Sequence, residues 1–283
     1  MSTISAADST EIYYEDIGKG QPIVFIHGWP LSGAMWEYQV VPLVKAGFRC
    51  ISYDRRGFGR SGKSSTSYDY ATLGSDLATL IDKLELRDIT LVGFSMGGGE
   101  VIEYLSRHNS EGRVTKAALV SSIVPYLLKT DDNPDGVEAK AFTDMQDGLR
   151  KDRPGFLTDF TEKFFGVGML SSPVSMPMIA ACCEVAMTAS PIATIECVKT
   201  FSHTDFRAKA KMIRVPTLVI HGDADQTVPI KPTGRSAAEL MPSAELKVYS
   251  GAPHGLFFTN KDELNQDLVA FVSEGRQYLE AAE

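Results

Sequence analysis

Short apolar runs alternate along the chain with longer segments in which apolar residues recur at three- and four-residue spacing. Runs of the first kind predict strands buried on both faces of a sheet, and the recurring spacing predicts amphipathic helices between them. This alternation indicates a mostly parallel sheet with helices on both faces. An early strand at residues 11–15, followed by a glycine-rich turn, is predicted to be antiparallel. The other strands are predicted at residues 23–26, 50–53, 89–92 and 114–123, and the helices at residues 35–46, 69–84 and after residue 95.

Residues 125–211 interrupt this alternation, because prolines and glycines divide them into short helical segments rich in phenylalanine. We predict a helical cap inserted over the carboxyl edge of the sheet, with about half of its aromatic rings forming the cap's own core. The predicted domains are an α/β core, residues 1–124 and 212–283, and the cap, residues 125–211. Strands at residues 215–220 and 246–249 and helices at residues 236–240 and 261–279 complete the core. The cap aromatics are Phe142, Phe156, Phe160, Phe164, Phe165 and Phe201.

Composition narrows the class of protein. The 283 residues, 43% of them hydrophobic, can form one large domain or a domain that carries an insertion. The net charge of −8 argues against nucleic acid or an anionic membrane as a partner. There is no signal-peptide pattern and no apolar run of about 18 residues, so a cytoplasmic location is predicted. The cysteines lack metal-ligand spacing and are predicted to be buried free thiols. They are Cys50, Cys182, Cys183 and Cys197.

The G-x-S-x-G motif at residues 93–97 joins a predicted strand to a predicted helix. In that context the motif predicts a nucleophile elbow, a tight turn that holds Ser95 in a strained conformation with its Oγ above the sheet edge. Gly93 and Gly97 are expected because a Cβ at either position would collide with the neighbouring strand or helix. The alternative is a glycine-rich turn with an incidental serine.

A second candidate segment, His-Gly-Trp-Pro at residues 27–30, follows the strand at residues 23–26. An elbow serine needs a backbone N–H in such a loop as the second donor of its oxyanion hole. Trp29 can supply this N–H, whereas Pro30 has none. We expect His27 to brace the loop through a hydrogen bond rather than to act as the base.

The glycine-rich loop at residues 57–64 matches two nucleotide-binding patterns, G-x-x-x-x-G-K-[ST] and G-x-G-x-x-G. Both patterns require a helix that opens directly on the loop. Here polar residues 65–68 follow, and the next helix is predicted only from about Asp69. We therefore predict a structural turn, with Asp54 as its carboxylate, and no nucleotide site.

Ser95, an aspartate and His254 follow one another along the chain, each just after a predicted strand. The order serine, acid, histidine is that of α/β-hydrolases and differs from the orders in the two other serine-hydrolase types. Two aspartates are candidates for the acid. Asp223 lies in a tight turn, where a carboxylate commonly caps backbone N–H groups, and Asp225 lies further out, where it can reach His254. We favour Asp225.

Taken together, these segments resemble the α/β-hydrolase family over nearly the whole chain, and within it the bacterial arylesterases and cofactor-free haloperoxidases (perhydrolases). The resemblance implies an α/β-hydrolase fold with an inserted cap. It implies Ser95 as nucleophile, Asp225 as acid, His254 as base, and the backbone N–H groups of Trp29 and Met96 as oxyanion donors. The segments that carry it are residues 27–30, 53–61, 93–99, 221–225 and 252–255.

The resemblance further implies a hydrolase that cleaves small aryl or alkyl esters through an acyl-enzyme, with perhydrolysis as a side activity. Neither a metal nor an organic cofactor is expected. The expected partner is a small-molecule ester, and whether the chain forms a homo-oligomer stays open. An epoxide hydrolase or dehalogenase of this fold would carry aspartate where Ser95 stands. A C–C bond hydrolase or a lactam-cleaving amidase with the same triad, and a small-molecule receptor without turnover, remain alternatives.

Overall fold

The computed structural model describes residues 2–168 and 172–274. Within these residues eight strands form one sheet in the order β1-β2-β4-β3-β5-β6-β7-β8. The β1–β2 and β2–β4 pairs are antiparallel and the remaining pairs are parallel, so the mostly parallel sheet predicted from the sequence is confirmed. The strands are β1 Thr3–Ser5, β2 Glu11–Gly18, β3 Pro22–Ile26, β4 Arg49–Tyr53, β5 Ile89–Phe94, β6 Val114–Val120, β7 Thr217–Gly222 and β8 Ala244–Tyr249.

Helices follow most of the parallel strands. The helix predicted at residues 35–46 begins as a 3-10 turn, Gly33–Trp36, before α1, and a π-helical turn, Lys231–Arg235, precedes α9. The helix predicted to reach residue 279 is described only to Ser273, and the rest of that prediction lies outside the described residues. The helices of the core are α1 Glu37–Lys45, α2 Tyr70–Lys83, α3 Met96–Arg107, α9 Ser236–Leu240, α10 Leu256–Thr259 and α11 Lys261–Ser273.

Between β6 and β7 the chain forms helices and no strand within residues 121–168 and 172–216. Ser175 and Ser190 accept hydrogen bonds from backbone N–H groups in the first turns of α6 and α7, and a proline follows each serine within two residues. Such capping explains why this proline-rich sequence is helical. These helices are α4 Ala139–Lys151, α5 Arg153–Phe164, α6 Met176–Met187, α7 Pro191–His203 and α8 Arg207–Ala210.

Both faces of the sheet are covered by apolar side chains. Val24 and Ile26 of β3 belong to one buried cluster, and Ile23 and Phe25 belong to another. Because alternate residues of a strand point to opposite faces, the two clusters lie on the two sides of the sheet. This arrangement explains why the central strands have continuous apolar sequences rather than alternating ones.

No single helix of the described ranges is long and apolar enough to cross a membrane. Helices α6 and α7 together reach that length and composition, but they are bent by 98° relative to one another.

Candidate active site

Ser95 lies in the turn between strand β5 and helix α3. Its backbone angles, φ 51° and ψ −117°, are in a region that residues with a side chain rarely adopt. A Cβ at Gly93 would lie 2.7 Å from the carbonyl oxygen of Gly97, and a Cβ at Gly97 would lie 2.5 Å from that of Ile26. The strained serine and the need for both glycines agree with the prediction from the motif.

Ser95, His254 and Asp225 are connected by hydrogen bonds. The Oγ of Ser95 lies 3.0 Å from Nε2 of His254, and Nδ1 of His254 lies 2.6 Å from Oδ2 of Asp225. All three residues are buried. An imidazole that donates its Nδ1–H to the carboxylate presents an unprotonated Nε2 to the serine hydroxyl. Such an arrangement can remove the serine proton as the oxygen attacks an acyl carbon.

Asp225 rather than Asp223 faces the imidazole. The Oδ1 of Asp225 also accepts hydrogen bonds from the backbone N–H groups of Thr227, at 2.9 Å, and Val228, at 2.7 Å. Burial acts to raise the pKa of Asp225, but the neighbouring His254 and the hydrogen bonds from His221 and His254 lower it overall, so the carboxylate stays ionised at neutral pH. Asp223 is exposed and accepts the N–H of Gly251 at 2.6 Å, which is a turn-capping bond.

A second histidine, His221 at the end of β7, also contacts this carboxylate. Its Nε2 lies 2.9 Å from the carbonyl oxygen of Val228 and 3.3 Å from Oδ2 of Asp225. The ring is fully buried, and within the described residues its Nδ1 has no hydrogen-bond partner. The sequence predicts no role for His221. The one sign in the sequence that His221 contacts Asp225 is their spacing of four residues. That spacing brings two side chains together only when the turn between them folds back.

The backbone amide of Trp29 lies in the loop after β3, and that of Met96 belongs to the first residue of α3. Within residues 2–168 and 172–274 neither amide donates to another group of the protein. The side chain of Trp29 is fixed separately, because its Nε1–H donates to the carbonyl of Thr194 at 2.9 Å. Two unpaired backbone donors beside an elbow serine are suited to an oxyanion.

His27 is completely buried and holds the loop in place. Its Nε2 accepts the backbone N–H of Arg55 at 2.9 Å, and its Nδ1 lies 2.8 Å from the carbonyl oxygen of Gly28. Burial and the neighbouring Arg55 cation hold the pKa of His27 well below its usual range. The ring is therefore neutral and braces the loop, as predicted from the sequence.

The glycine-rich loop at residues 57–64 is a structural turn. Asp54 accepts hydrogen bonds from the backbone N–H groups of Gly33, at 2.8 Å, and Arg60, at 2.7 Å. Helix α2 begins only at Tyr70. Because no helix opens on the loop, the phosphate-binding geometry of either nucleotide motif does not form.

A cavity of about 470 Å³ adjoins Ser95 and His254. Phe142, Phe156, Phe160 and Phe201 line it, and they come from helices α4, α5 and α7. These rings and the aliphatic side chains of the wall suit an apolar part of a ligand, although Asp144, Asp159, Lys163 and Gln226 also line the cavity. The two other phenylalanines of the set pack elsewhere: the ring of Phe164 lies 4.9 Å from that of His254, and the ring of Phe165 lies 6.0 Å from that of Phe257.

The described residues contain no group of three or more histidine, cysteine and acidic side chains arranged to hold a metal ion. All four cysteines are free, as predicted. Cys50 and Cys197 are buried, but the prediction of burial is wrong for Cys182 and Cys183, which are only partly buried on helix α6.

Residues 21–261 match the family model of the alpha/beta hydrolase fold. The chain is 42% identical to a non-heme chloroperoxidase of Kitasatospora aureofaciens, over 97% of this chain and 100% of the relative. It is 36% identical to a bifunctional esterase/perhydrolase of Acinetobacter calcoaceticus, over 96% and 99% of the two chains. Among solved structures, a bromoperoxidase from Bacillus anthracis superposes with a TM-score of 0.92 at 43% identity, covering 96% of this chain and 100% of that one.

Proposed function

Since the chain belongs to the alpha/beta hydrolase fold family, we propose that it is a serine esterase that cleaves small carboxylic esters and also carries out perhydrolysis. The observation that carries this proposal is the continuous set of hydrogen bonds from Ser95 through His254 to Asp225, at the wall of an apolar cavity. Ser95 is the proposed nucleophile, His254 the base and Asp225 the acid. The backbone N–H groups of Trp29 and Met96 are the proposed oxyanion donors.

Acylation begins when His254 takes the proton of Ser95 and Oγ forms a bond to the ester carbonyl carbon. The carbonyl oxygen becomes an oxyanion, which the Trp29 and Met96 amides stabilise; one such donor contributes about 10²–10³ in rate. His254 then gives its proton to the alkoxy oxygen as the C–O bond breaks and the alcohol leaves. Asp225 stabilises the imidazolium throughout and holds the ring in the tautomer that accepts the serine proton.

Deacylation repeats these steps with a different nucleophile. Water loses a proton to His254, its oxygen bonds to the acyl carbon, and the bond to Ser95 breaks with return of the proton to Oγ. Hydrogen peroxide can replace water, in which case the product is a peracid instead of an acid. Both reactions use the same residues and involve no change in the oxidation state of the protein.

Residues 125–211 are proposed to act as a cap domain over the core formed by residues 1–124 and 212–283. Helices α4, α5 and α7 supply four aromatic rings of the cavity, whereas Ser95 and His254 come from loops of the core. This division lets the cap select the substrate while the core performs the chemistry. The substrate is thus a small ester with an apolar or aromatic part. The cytoplasmic location and the homo-oligomer stay predictions.

We expect the protein to hydrolyse phenyl esters of short acyl chains, and to form peracid from acetate and hydrogen peroxide in the presence of a chelator. The measurement is a panel of phenyl esters of graded acyl length, assayed beside amides and lactones, with Ser95→Ala as the blank. Turnover of amides in preference to esters would assign the chain to amide hydrolysis. Tight binding without turnover would make it a receptor. Peracid formation no greater than in Ser95→Ala would remove perhydrolysis from the proposal.

The rate of ester hydrolysis should fall as the pH is lowered. Only the unprotonated imidazole of His254 can accept the serine proton, so the rate follows the fraction of the protein in which this ring is neutral, and the test covers about pH 5 to 8. Asp225 does not produce this decrease, because its lowered pKa keeps it ionised over that range. The measurement is kcat/KM for a phenyl ester as a function of pH. A profile that stays flat over this interval would show that no histidine titrates in the rate-limiting step.

A further inference from the structure

An ion pair joins Arg55, in the loop after β4, to Glu100, in helix α3, and it is buried, with side chains 1% and 0% exposed. The Nε–H of Arg55 donates to Oε1 of Glu100 at 2.6 Å, and the hydroxyl of Tyr53 donates to Oε2 at 2.6 Å. Taking both charges out of water is costly, and a buried pair commonly stabilises a fold no better than apolar side chains would. A contribution to function therefore explains the presence of this ion pair better than a contribution to stability does.

Arg55 holds the loop that carries Trp29. Its Nη2–H donates to the carbonyl of His27 at 2.6 Å, and its backbone N–H donates to Nε2 of the same residue at 2.9 Å. The His27 ring in turn donates through Nδ1 to the carbonyl of Gly28 at 2.8 Å. Arg55 thus fixes both the carbonyl and the ring of His27. His27 lies two residues before Trp29, so the same contacts hold the Trp29 amide in place.

Glu100 holds the other side of the site, because it lies in helix α3, which begins at Met96. The first turn of this helix packs directly on the loop: a Cβ at Gly97 would lie 2.9 Å from the carbonyl oxygen of His27. One guanidinium therefore connects that carbonyl to the helix that carries the Met96 amide. The fork of an arginine can serve two acceptors at once, which the single ammonium of a lysine does less well.

We propose that Arg55 and Glu100 are positioning residues that fix the distance between the Trp29 and Met96 amides and so keep the oxyanion hole in shape. The inference rests on the proposed ester hydrolysis and on the assignment of these two amides. Oxyanion stabilisation depends on donors that are already in place when charge develops. A displacement of about 1 Å can cost on the order of 10² in rate. Loss of the connection should therefore lower kcat while ground-state binding in the cavity persists.

The neighbouring Arg56 provides a matched control. It is equally buried and forms its own ion pair, with its Nε–H donating to Asp76 at 2.6 Å and a second N–H donating to Asp8 at 2.8 Å. Neither acceptor belongs to the loop or to α3. Arg55→Lys and Arg56→Lys each keep a positive charge for their carboxylate partner, so they differ mainly in whether the contact to the loop is lost.

The test measures kcat and KM for a phenyl ester, the inhibition constants of phenylboronic acid and of phenol, and thermal unfolding in both variants. Phenylboronic acid forms a tetrahedral adduct with a serine, whereas phenol resembles the leaving group. For Arg55→Lys we expect kcat to fall by roughly 10- to 100-fold, which is less than the loss expected when a whole oxyanion donor is removed. Inhibition by phenylboronic acid should weaken by a similar factor. Inhibition by phenol should not change. For Arg56→Lys kcat should stay within about twofold, whatever happens to its unfolding temperature.

Equal kcat values in the two folded variants would overturn the inference, as would a loss in Arg55→Lys that affects phenol as much as phenylboronic acid. If Arg55→Lys does not fold, the double variant Arg55→Gln, Glu100→Gln decides, because it leaves no unpaired charge buried and removes the contact of Arg55 with the His27 carbonyl. It should lower kcat several-fold with KM unchanged, and an unaltered kcat would then reject the proposal. Absence of ester turnover in the unmodified protein would instead refute the proposed function. Turnover by the unmodified protein is therefore measured before any variant is compared.

Discussion

Replacing Ser95 by alanine should lower kcat for ester hydrolysis by at least about 10⁴-fold, because no acyl-enzyme can form without Oγ. His254→Ala should cause a loss of similar size, since the serine then lacks a base. The two losses should not add in the double variant, because the residues act as one unit. The measurement is phenyl ester turnover at saturating substrate.

Ser52→Ala is the matched control for this prediction. Ser52 lies in strand β4 and has the same exposure as Ser95, 6%. Within the described residues its side chain forms no hydrogen bond with Ser95, His254 or Asp225, so its removal should change kcat by no more than about twofold. Retention of a tenth or more of the activity in either Ser95→Ala or His254→Ala, with the fold intact, would contradict the proposed site.

The sheet could be predicted because its central strands are continuous apolar segments bounded by turn residues. Strand β1, Thr3–Ser5, was missed since three residues give too little pattern to recognise. The 3-10 turn before α1 was missed for another reason. The backbone N–H of Gly33 is bonded to the carboxylate of Asp54, which is distant in sequence, and hydrophobic spacing carries no information about such a contact.

The residues of the site divide in the same way. Ser95, Asp225 and His254 could be proposed because each stands just after a strand, where a parallel sheet gathers its loops. Arg55 and Glu100 could not, since one resembles a loop residue and the other an ordinary polar residue of a helix. The contact between Arg55 and His27 follows from strand register. Ile26 of β3 is paired with Tyr53 of β4, which brings the residues after these two strands side by side.

The choice between two aspartates gives the second large effect. Asp225→Asn should lower kcat by about 10³- to 10⁴-fold while the fold is kept, because an amide can still accept the backbone N–H groups that Asp225 accepts. The amide nitrogen would then face Nδ1 of His254 and favour the tautomer with a proton on Nε2. That tautomer cannot accept the serine proton. The measurement is kcat for a phenyl ester, with thermal unfolding to establish that the variant is folded.

Asp223→Asn makes the same chemical change two residues away and is therefore the control. Asp223 accepts only the N–H of Gly251 among the described contacts of its side chain, and an asparagine oxygen can accept that bond as well. Its kcat should stay within about tenfold of the unmodified protein. If Asp223→Asn proved the more damaging of two folded variants, the carboxylate that supports His254 during catalysis would have to be Asp223. The 2.6 Å contact between His254 and Asp225 would then not be the one used in the reaction.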